Sequence, residues 1–417
     1  MRTHLSVILF TLAAITIGCG PGSPGSKLNR SAPAEGRSVN DQINSRPWAS
    51  IFDTSYLYAA NARAPLAIRI PRPYQSEDTV SFLHPSAVYY PNRFCGYRYW
   101  VAFTLNNGLH TNEYPFIRCS NDLVTWDSFP GSPAMLFFPL NDYRDAHGFV
   151  PAYWSDVFLF PAADRKLWCG IRGWYEATGH VCLWVTSTSN GAAWSAPVKI
   201  FEDSSGSQNN ARWMSPCVLK DTSGAYRMCA VNAQSYGRIV RLSAPKPDSG
   251  WAVLDTVKEH GATGLYTAFP TGPSTNTQYD DSIWTGKYCT WHLGLVDVGR
   301  NQMLVLLTAR RDSVNITDHS SLDRTGTLTG KPGHAIFVGV MTDGGAGLKL
   351  RYAPLLLNNP VTGAFDYAYP YRACGWVEDI GKQKVIRMLY TGLGRNSYKV
   401  GLTSIQIRDK NEVIDST

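Results

Sequence analysis

Apolar residues recur along most of the chain in short bursts broken by Gly, Pro, Asn, Asp and Ser. No stretch keeps amphipathic-helix spacing for longer than about three turns, so the pattern predicts strands and turns. Aligned, the bursts expose a degenerate repeat. A first run follows a bulky residue and a polar one: FLHPSAVYY from Phe82, YWSDVFLF from Tyr153, RWMSPCVLK from Arg212, TWHLGLVDV from Thr290 and PYRACGWVE from Pro370. A second apolar run comes after a turn: YRYWVAFT, RKLWCGIRG, AYRMCAV, NQMLVLLT and KVIRMLYT. The third runs are PFIRCS, VCLWVTS, GRIVRLS, AIFVGVM and KVGLTSI. Two units then show a polar turn ending in Trp, at Ser120–Trp126 and Thr188–Trp194.

Five units of roughly 60 to 80 residues, each a small antiparallel meander, predict an all-β fold. The expected architecture is a five-bladed β-propeller of antiparallel four-stranded blades. It would occupy 48–417, with blades starting near 84, 155, 215, 291 and 371. A sandwich or several small β domains would leave the shared opening of the units unexplained.

In a propeller the first strand of each blade is innermost and its start lines the central funnel. His84, Asp156, Ser215, His292 and Arg372 are therefore expected around one axis, and Pro85 should bend its strand away, since proline cannot donate to a ladder. His84 and His292 are candidate general acids or bases, and Asp156 is the candidate carboxylate beside them. Glu113 and Asp145 are the reserve acids, Asp145 with His147 lying in a long loop that could close as a lid. Arg172 and Arg372 are candidate substrate-binding groups. Trp154, Trp213 and Trp291 stand just before blade starts, where they could stack on a ligand or pack blade against blade. His84, Arg172, His292 and Arg372 set against Asp156 make this funnel mildly basic. An anionic ligand is expected, because Arg grips carboxylates bidentately.

The N-terminus changes the setting. Arg2 and His4 precede the apolar run Leu5–Gly18, which has the length of a signal-peptide core and is too short to span a bilayer. Thr16-Ile17-Gly18-Cys19 resembles a bacterial lipobox, with Thr where Leu is usual. Residues 1–18 are thus expected to be a signal peptide, Cys19 a lipidation site, and 19–47 a polar, Pro/Gly-rich tether. The expectation is export and a lipid anchor in the cell envelope. Ordinary secretion with cleavage nearby is the alternative.

Removing Cys19 leaves Cys95, Cys119, Cys169, Cys182, Cys217, Cys229, Cys289 and Cys374, an even number that predicts disulfides in an exported chain. Cys217 and Cys229 flank KDTSG symmetrically, and Cys169 and Cys182 flank the turn around Glu176. Cys95 with Cys119, and Cys289 with Cys374, complete one of many possible pairings. No cysteine or histidine cluster has zinc spacing, so no metal or other cofactor is expected, and nothing in the pattern requires a structural calcium in the funnel. The net charge of +7 is spread over 417 residues without a basic run, which argues against nucleic acid. A monomer is expected.

SNDLVTW, HPSAVYYPN and YRYWVAFT resemble the turn and first blade of the five-bladed propeller glycosidases, the arabinanase/xylosidase and invertase-like families. The likeness runs over roughly 80–407. It implies a base Asp on blade one, an orienting Asp on blade two and an acid Glu on blade three. Here those places hold His84, Asp156 and Met214-Ser215, so the two-carboxylate mechanism does not carry over. The blade starts are more similar to uncharacterised bacterial and phage propellers with HPSV-, SD-, SP- and WHLD-like openings, although Gly294 replaces the last Asp. The resemblance implies a protein that binds a glycan in the funnel and could hydrolyse it, with Trp154, Trp213 and Trp291 as stacking faces and, given the basic funnel, an acidic sugar such as a uronic or sialic acid. A non-catalytic glycan-binding or cell-surface module on the same fold is the competing reading.

Overall fold

The structure is a computed structural model. It describes residues 55–59, 64–66, 68, 81–106, 113–133, 136–137, 139–206, 211–232, 238–259, 288–299, 302–311, 334–342, 347–350, 355–356, 364–366, 369–380, 383–394 and 397–409. The expected signal peptide, Cys19 and the tether lie outside them. Among the described residues there is no α-helix, only a 3-10 turn at Leu140–Asp142.

The chain forms a five-bladed β-propeller. It opens with β1 (Ser55–Ala59) and β2 (Ala64–Pro65), both of which pair with the last strand. Blade one is β3 (Ser81–Phe94), β4 (Tyr97–Asn106) and β5 (Tyr114–Ser120), and a Cys119–Asp127 bridge marks its outer edge. Blade two is β6 (Tyr153–Pro161), β7 (Leu167–Tyr175), β8 (His180–Thr188) and β9 (Val198–Asp203). Blade three is β10 (Met214–Lys220), β11 (Tyr226–Asn232), β12 (Arg238–Ala244) and β13 (Ala252–Thr256). The short β14 (Lys258–Glu259) crosses to the rim of blade four and pairs in parallel with β18 (Gly347–Leu350). Inside β18 run β17 (His334–Thr342), β16 (Met303–Arg311) and β15 (Tyr288–Asp297). Blade five is β19 (Tyr369–Ile380), β20 (Gln383–Leu393) and β21 (Tyr398–Asp409), with β1 as its outermost strand. Ser55 pairs with Asp409 and Ala59 with Ile405, so the start and end of the propeller close the ring together.

The inner strands β3, β6, β10, β15 and β19 touch one another in ring order, β19 returning to β3. Apolar layers fill the gaps between blades. Blades four and five share Val296, Leu306, Val338 and Met388, and blades two and three share Phe158, Trp168, Met228 and Leu242. The turns SNDLVTW and TSNGAAW are built alike. Asp122 Oδ1 accepts the N–H groups of Val124 and Thr125 at 2.8 Å, and Asn190 Oδ1 accepts those of Ala192 and Ala193 at 3.0 and 2.9 Å. An Asx side chain mimicking backbone explains these turns without a functional role.

Each inner strand breaks register near its start, a β-bulge that frees backbone from the ladder. The breaks lie between Leu83 and Ser86, Ser155 and Phe158, Met214 and Cys217, Thr290 and His292, and Pro370 and Ala373. Pro85 and Pro216 sit inside bulges, where no ladder N–H is needed. His84, Asp156 and Ser215 take left-handed backbone at φ of 55°, 54° and 51°. That conformation costs about 1–3 kcal/mol per residue and gathers at functional sites.

The expected disulfides are not formed among the described residues. Cys95, Cys119, Cys169, Cys182, Cys217, Cys229 and Cys374 are free thiols, and the side chain of Cys289 lies outside the described residues. Cys217 does face Cys229 across the hairpin, but its thiol turns to the carbonyls of Ser215 and Leu293 at 3.4 and 3.5 Å. Cys169 stands opposite Thr186 and Cys182 opposite Gly173, so the register keeps that pair apart. Cys119 donates to Asp127 O at 3.5 Å and Cys95 to Ser189 O at 3.7 Å.

Gly294 explains its own departure from the WHLD-like pattern. A Cβ there would lie 2.1 Å from the Ala373 carbonyl oxygen, because β15 and β19 approach backbone to backbone. Gly294→Ala is expected to destabilise the fold by on the order of 1–3 kcal/mol, as overpacking does. Gly294→Asp should cost more. Chemical denaturation of the three proteins checks both, and equal midpoints would refute the close approach.

Candidate functional site

The bulges aim side chains from all five blades at one buried point. Asp156, on β6, is the hub. Its Oδ1 accepts the Ser215 N–H at 2.9 Å and the Ser215 hydroxyl at 3.2 Å. Arg372 Nη1 approaches the same oxygen at 3.4 Å, His292 Nδ1 at 3.6 Å and His84 Nε2 at 3.9 Å. Ser155 donates its hydroxyl to Oδ2 at 3.0 Å. His84 extends the cluster through Nδ1, which lies 3.0 Å from Thr104 Oγ1 and 3.4 Å from Glu113 Oε2. Its imidazole thus stands between two carboxylates.

The hub is deeply buried: Asp156 is 2% exposed, His292 1%, Arg372 1% and Ser215 0%. Burial works against ionising Asp156, but His84, His292 and Arg372 outweigh it and hold the carboxyl well below its ordinary value. Burial pulls His292 down to about 3, against the partial opposition of Asp156, which leaves a neutral imidazole. Within this cluster three buried atoms make no hydrogen bond: His292 Nε2, Glu113 Oε2 and Arg372 Nε.

Ser215, His292 and Asp156 have the identities of a nucleophilic triad but not its geometry. Ser215 Oγ lies 2.6 Å from His292 Nδ1, the same nitrogen that faces Asp156. A relay needs serine and acid on opposite ring nitrogens. One donor atom from each of His84, Asp156 and His292 does lie within 4.8 Å of the other two, a spacing that could hold a metal ion. The sequence shows no metal spacing because the fold draws these donors from blades one, two and four.

Other expected site residues lie elsewhere. Arg172 donates through Nε to Arg212 O at 2.6 Å, and so ties blade two to the approach to blade three. Trp154 is buried, its indole N–H on Phe137 O at 3.1 Å. Trp213 donates to Asp203 Oδ2 at 2.6 Å and packs on Phe201. Trp291 packs among the apolar residues of blades three and four and donates to the Tyr371 hydroxyl at 3.3 Å. All three rings are buried and pack blade against blade.

Asp145 and His147 meet the outer strands of blade two. Asp145 Oδ1 accepts the N–H groups of His147 and Phe149, while Oδ2 accepts Thr178 Oγ1 at 2.7 Å. His180 Nδ1 lies 2.8 Å from Glu202 Oε1 and 3.6 Å from Asp145 Oδ2, and the ring of His147 lies 5.1 Å from that of His180. Asp145, His180 and Glu202 have cation-site spacing too. Lys199 Nζ, 2.5 Å from Glu202 Oε2, supplies the positive charge there. The group reads as a latch for the loop between blades one and two.

The site also contains tyrosines that sequence reading missed. Tyr371 occupies the blade-five bulge beside Arg372, its ring 4.4 Å from His292 and 5.8 Å from His84. Tyr398, Tyr369 and His334 continue the same wall. Counting two residues per bulge, as in HP and SP, aligns Tyr371 with His84 and Ser215, and that was the available signal.

No family model matches the chain, and no curated protein matches it. Solved structures do. An N-acetylgalactosamine deacetylase from F. plautii, solved with blood group B trisaccharide, aligns with a TM-score of 0.60 at 13% identity, over 85% of this chain and 96% of its own. The catalytic domain of a GH62 α-L-arabinofuranosidase from Coprinopsis cinerea aligns at 0.47 and 14%, over 86% and 98%. A GH43 protein from Bacillus licheniformis aligns at 0.47 and 12%, over 84% of this chain and 57% of its own. What the likeness carries is the fold.

The neutral His292 has a measurable consequence. Its pKa rises from about 3 in the folded chain to 6.5 on unfolding, so the unfolded state binds more protons between those values. Stability is therefore present above pH 6.5 and is lost as pH falls toward 3. Thermal melts should drop from pH 7 to pH 5 in the wild type and drop less in His292→Asn. Parallel curves would show that His292 is not held neutral.

Proposed function

We propose that the protein is carbohydrate-active, takes a glycan into the funnel, and hydrolyses a bond of it with a divalent metal ion held by His84, Asp156 and His292. The convergence of these three buried donor atoms within 4.8 Å carries the reading. The donor set fits a metal. His292 is held neutral with an orphan Nε2, and Asp156 is held ionised. Ser155, Ser215 and Arg372 fix the carboxylate from outside, as supporting groups do at metal sites. A bound ion would polarise the scissile group and acidify a water. Glu113, with its free Oε2 beside His84, is placed to accept the proton of an attacking water. Arg372 balances the charge of Asp156.

A two-carboxylate glycosidase mechanism fits less well. Its acid would come from blade three, where Ser215 is buried and committed to Asp156 and His292. The expectation of an acidic glycan loses its support, since Arg372 faces Asp156 and Arg172 is turned onto a carbonyl. With His292 neutral, Asp156, Glu113 and Arg372 favour a neutral or amino-bearing sugar. Because the neighbour with the 0.60 TM-score is a deacetylase of N-acetylgalactosamine, an acetamido sugar is the first substrate to try.

Purified protein should retain about one divalent ion per chain, and a chelator should abolish acetate release from N-acetylhexosamine glycans. Asp156→Ala should lose the ion. Glu113→Gln should keep it and lose about 10²–10⁴ of turnover, the usual worth of a general base. Hydrolysis that survives chelation would exclude the metal. Glycan binding without turnover would make the chain a non-catalytic module.

We propose also that the protein meets its glycan outside the cytoplasm on a lipid anchor. With the expected disulfides gone, this rests on the Leu5–Gly18 run and Cys19. Cys19→Ser should move the protein from the membrane to the soluble fraction, and unchanged membrane association would reject the anchor.

A further inference from the structure

Beside the metal donors, the wall of the site on blades four and five is aromatic. Tyr371 and Tyr398 have ring centroids 5.5 Å apart, and Tyr369 and Tyr398 join their hydroxyls at 2.8 Å. His334 stacks against Tyr369 at 4.5 Å and closes on Tyr371 at 5.9 Å. The wall is held from behind: Trp291 donates to Tyr371, Thr308 donates to the Tyr371 carbonyl, and the Tyr398 N–H donates to Ser81 Oγ at 3.1 Å.

Tyr371 and Tyr398 are half-buried, so each keeps surface that a ligand can reach. Tyr371 is flanked by the buried rings of His292 and His84 at 4.4 and 5.8 Å, so this surface lines a recess and not an outer face. Glu113 borders the same recess through His84, whose Nδ1 lies 3.4 Å from its Oε2. It is 9% exposed, and its Oε2 has no donor. An aromatic face next to an unsatisfied carboxylate oxygen is complementary to a pyranose, which offers C–H groups on one face and hydroxyl donors at its edge.

We propose that Tyr371 and Tyr398 form a stacking subsite for a neutral sugar ring, with Glu113 accepting a hydrogen bond from one of its hydroxyl or amide groups, next to the His84–Asp156–His292 centre. This rests on the glycan reading above and adds the place and charge class of the bound sugar. A uronate is disfavoured there because its carboxylate would face Glu113. Phosphate or sulfate esters meet the same obstacle.

The test uses the whole protein with Tyr398→Leu, Tyr398→Phe and Tyr398→Trp, titrated with xylotriose, cellotriose, an N-acetylgalactosamine trisaccharide and trigalacturonate. The wild type should bind at least one neutral sugar more tightly than trigalacturonate. Tyr398→Leu should raise Kd or KM for that sugar by about tenfold and leave kcat within about threefold, as loss of an aromatic contact does. Tyr398→Phe and Tyr398→Trp keep a stacking face and should stay near wild type, which separates stacking from the hydroxyl bond and from misfolding. If Tyr398→Leu binds the sugar as the wild type does, the subsite is overturned while the funnel reading stands. Preference for trigalacturonate also overturns the subsite. A wild type that binds none of the four defeats both.

Discussion

A carboxylate at the axis of a propeller is stripped of water from every side, and an isolated buried charge is not tolerated. Asp156 is held only because each other blade sends a group to it: Ser215 from blade three, His292 from four, Arg372 from five and His84 from one. The charge and the ring therefore depend on each other. Closure by β1 on β21 brings blade five against blade one, which sets Arg372 and His84 around the same oxygen. Opening the ring would leave Asp156 uncompensated, and breaking a buried pair in that way costs about 3–5 kcal/mol. The apolar layers between blades hold the molecule together. The hub makes any other closure unfavourable.

The same constraint accounts for the backbone. A regular strand alternates its side chains between faces, and neither face of an inner strand points along the axis. The bulges break that alternation, and left-handed φ at His84, Asp156 and Ser215 turns those residues into the centre. Left-handed backbone strains these three hub residues, and the hub interactions offset part of the strain. His84 and Asp156 thus combine left-handed backbone with the most chemically committed side chains of their blades. Such a coincidence marks a site more reliably than residue type does.

The fold was legible because a propeller repeats its signals. Strand-length apolar bursts, Gly/Pro punctuation and five similar openings at His84, Asp156, Ser215, His292 and Arg372 could be aligned without knowing any contact. What lay outside the pattern depended on register. The bulge leaves one residue unpaired in blade four, Trp291, but two in blade five, and this difference hid Tyr371 behind Arg372. Symmetry about a turn placed Cys217 opposite Cys229 but could not show the thiol rotated onto carbonyls. For Cys169 and Cys182 the turn at 176–179 is centred nearer Cys182, so the ladder separated them. An aromatic residue before an inner strand suits a funnel and a blade interface equally. Trp154 and Trp213 therefore read as sugar platforms, while their indole N–H groups are spent on Phe137 and Asp203.

The departures from glycosidase-like openings are linked. Where those enzymes place an acid on blade three, Ser215 here donates to Asp156 and needs no charge of its own. Where they place an acid base on blade one, His84 accompanies Glu113, which arrives from the start of β5. Where a WHLD-like opening has Asp, Gly294 lets β15 and β19 close until no side chain fits. Each change takes a carboxylate off the axis, and together they leave one acid compensated by two imidazoles and a guanidinium. Separated carboxyl groups serve proton transfer across a glycosidic bond. Converged imidazoles and one carboxylate serve a cation instead, and the substrate's charge is then set by the acid left over, Glu113. Its Oε2, which accepts no hydrogen bond, lies across His84 from Tyr371 and suits the recess to sugar hydroxyls and amides rather than to sugar acids.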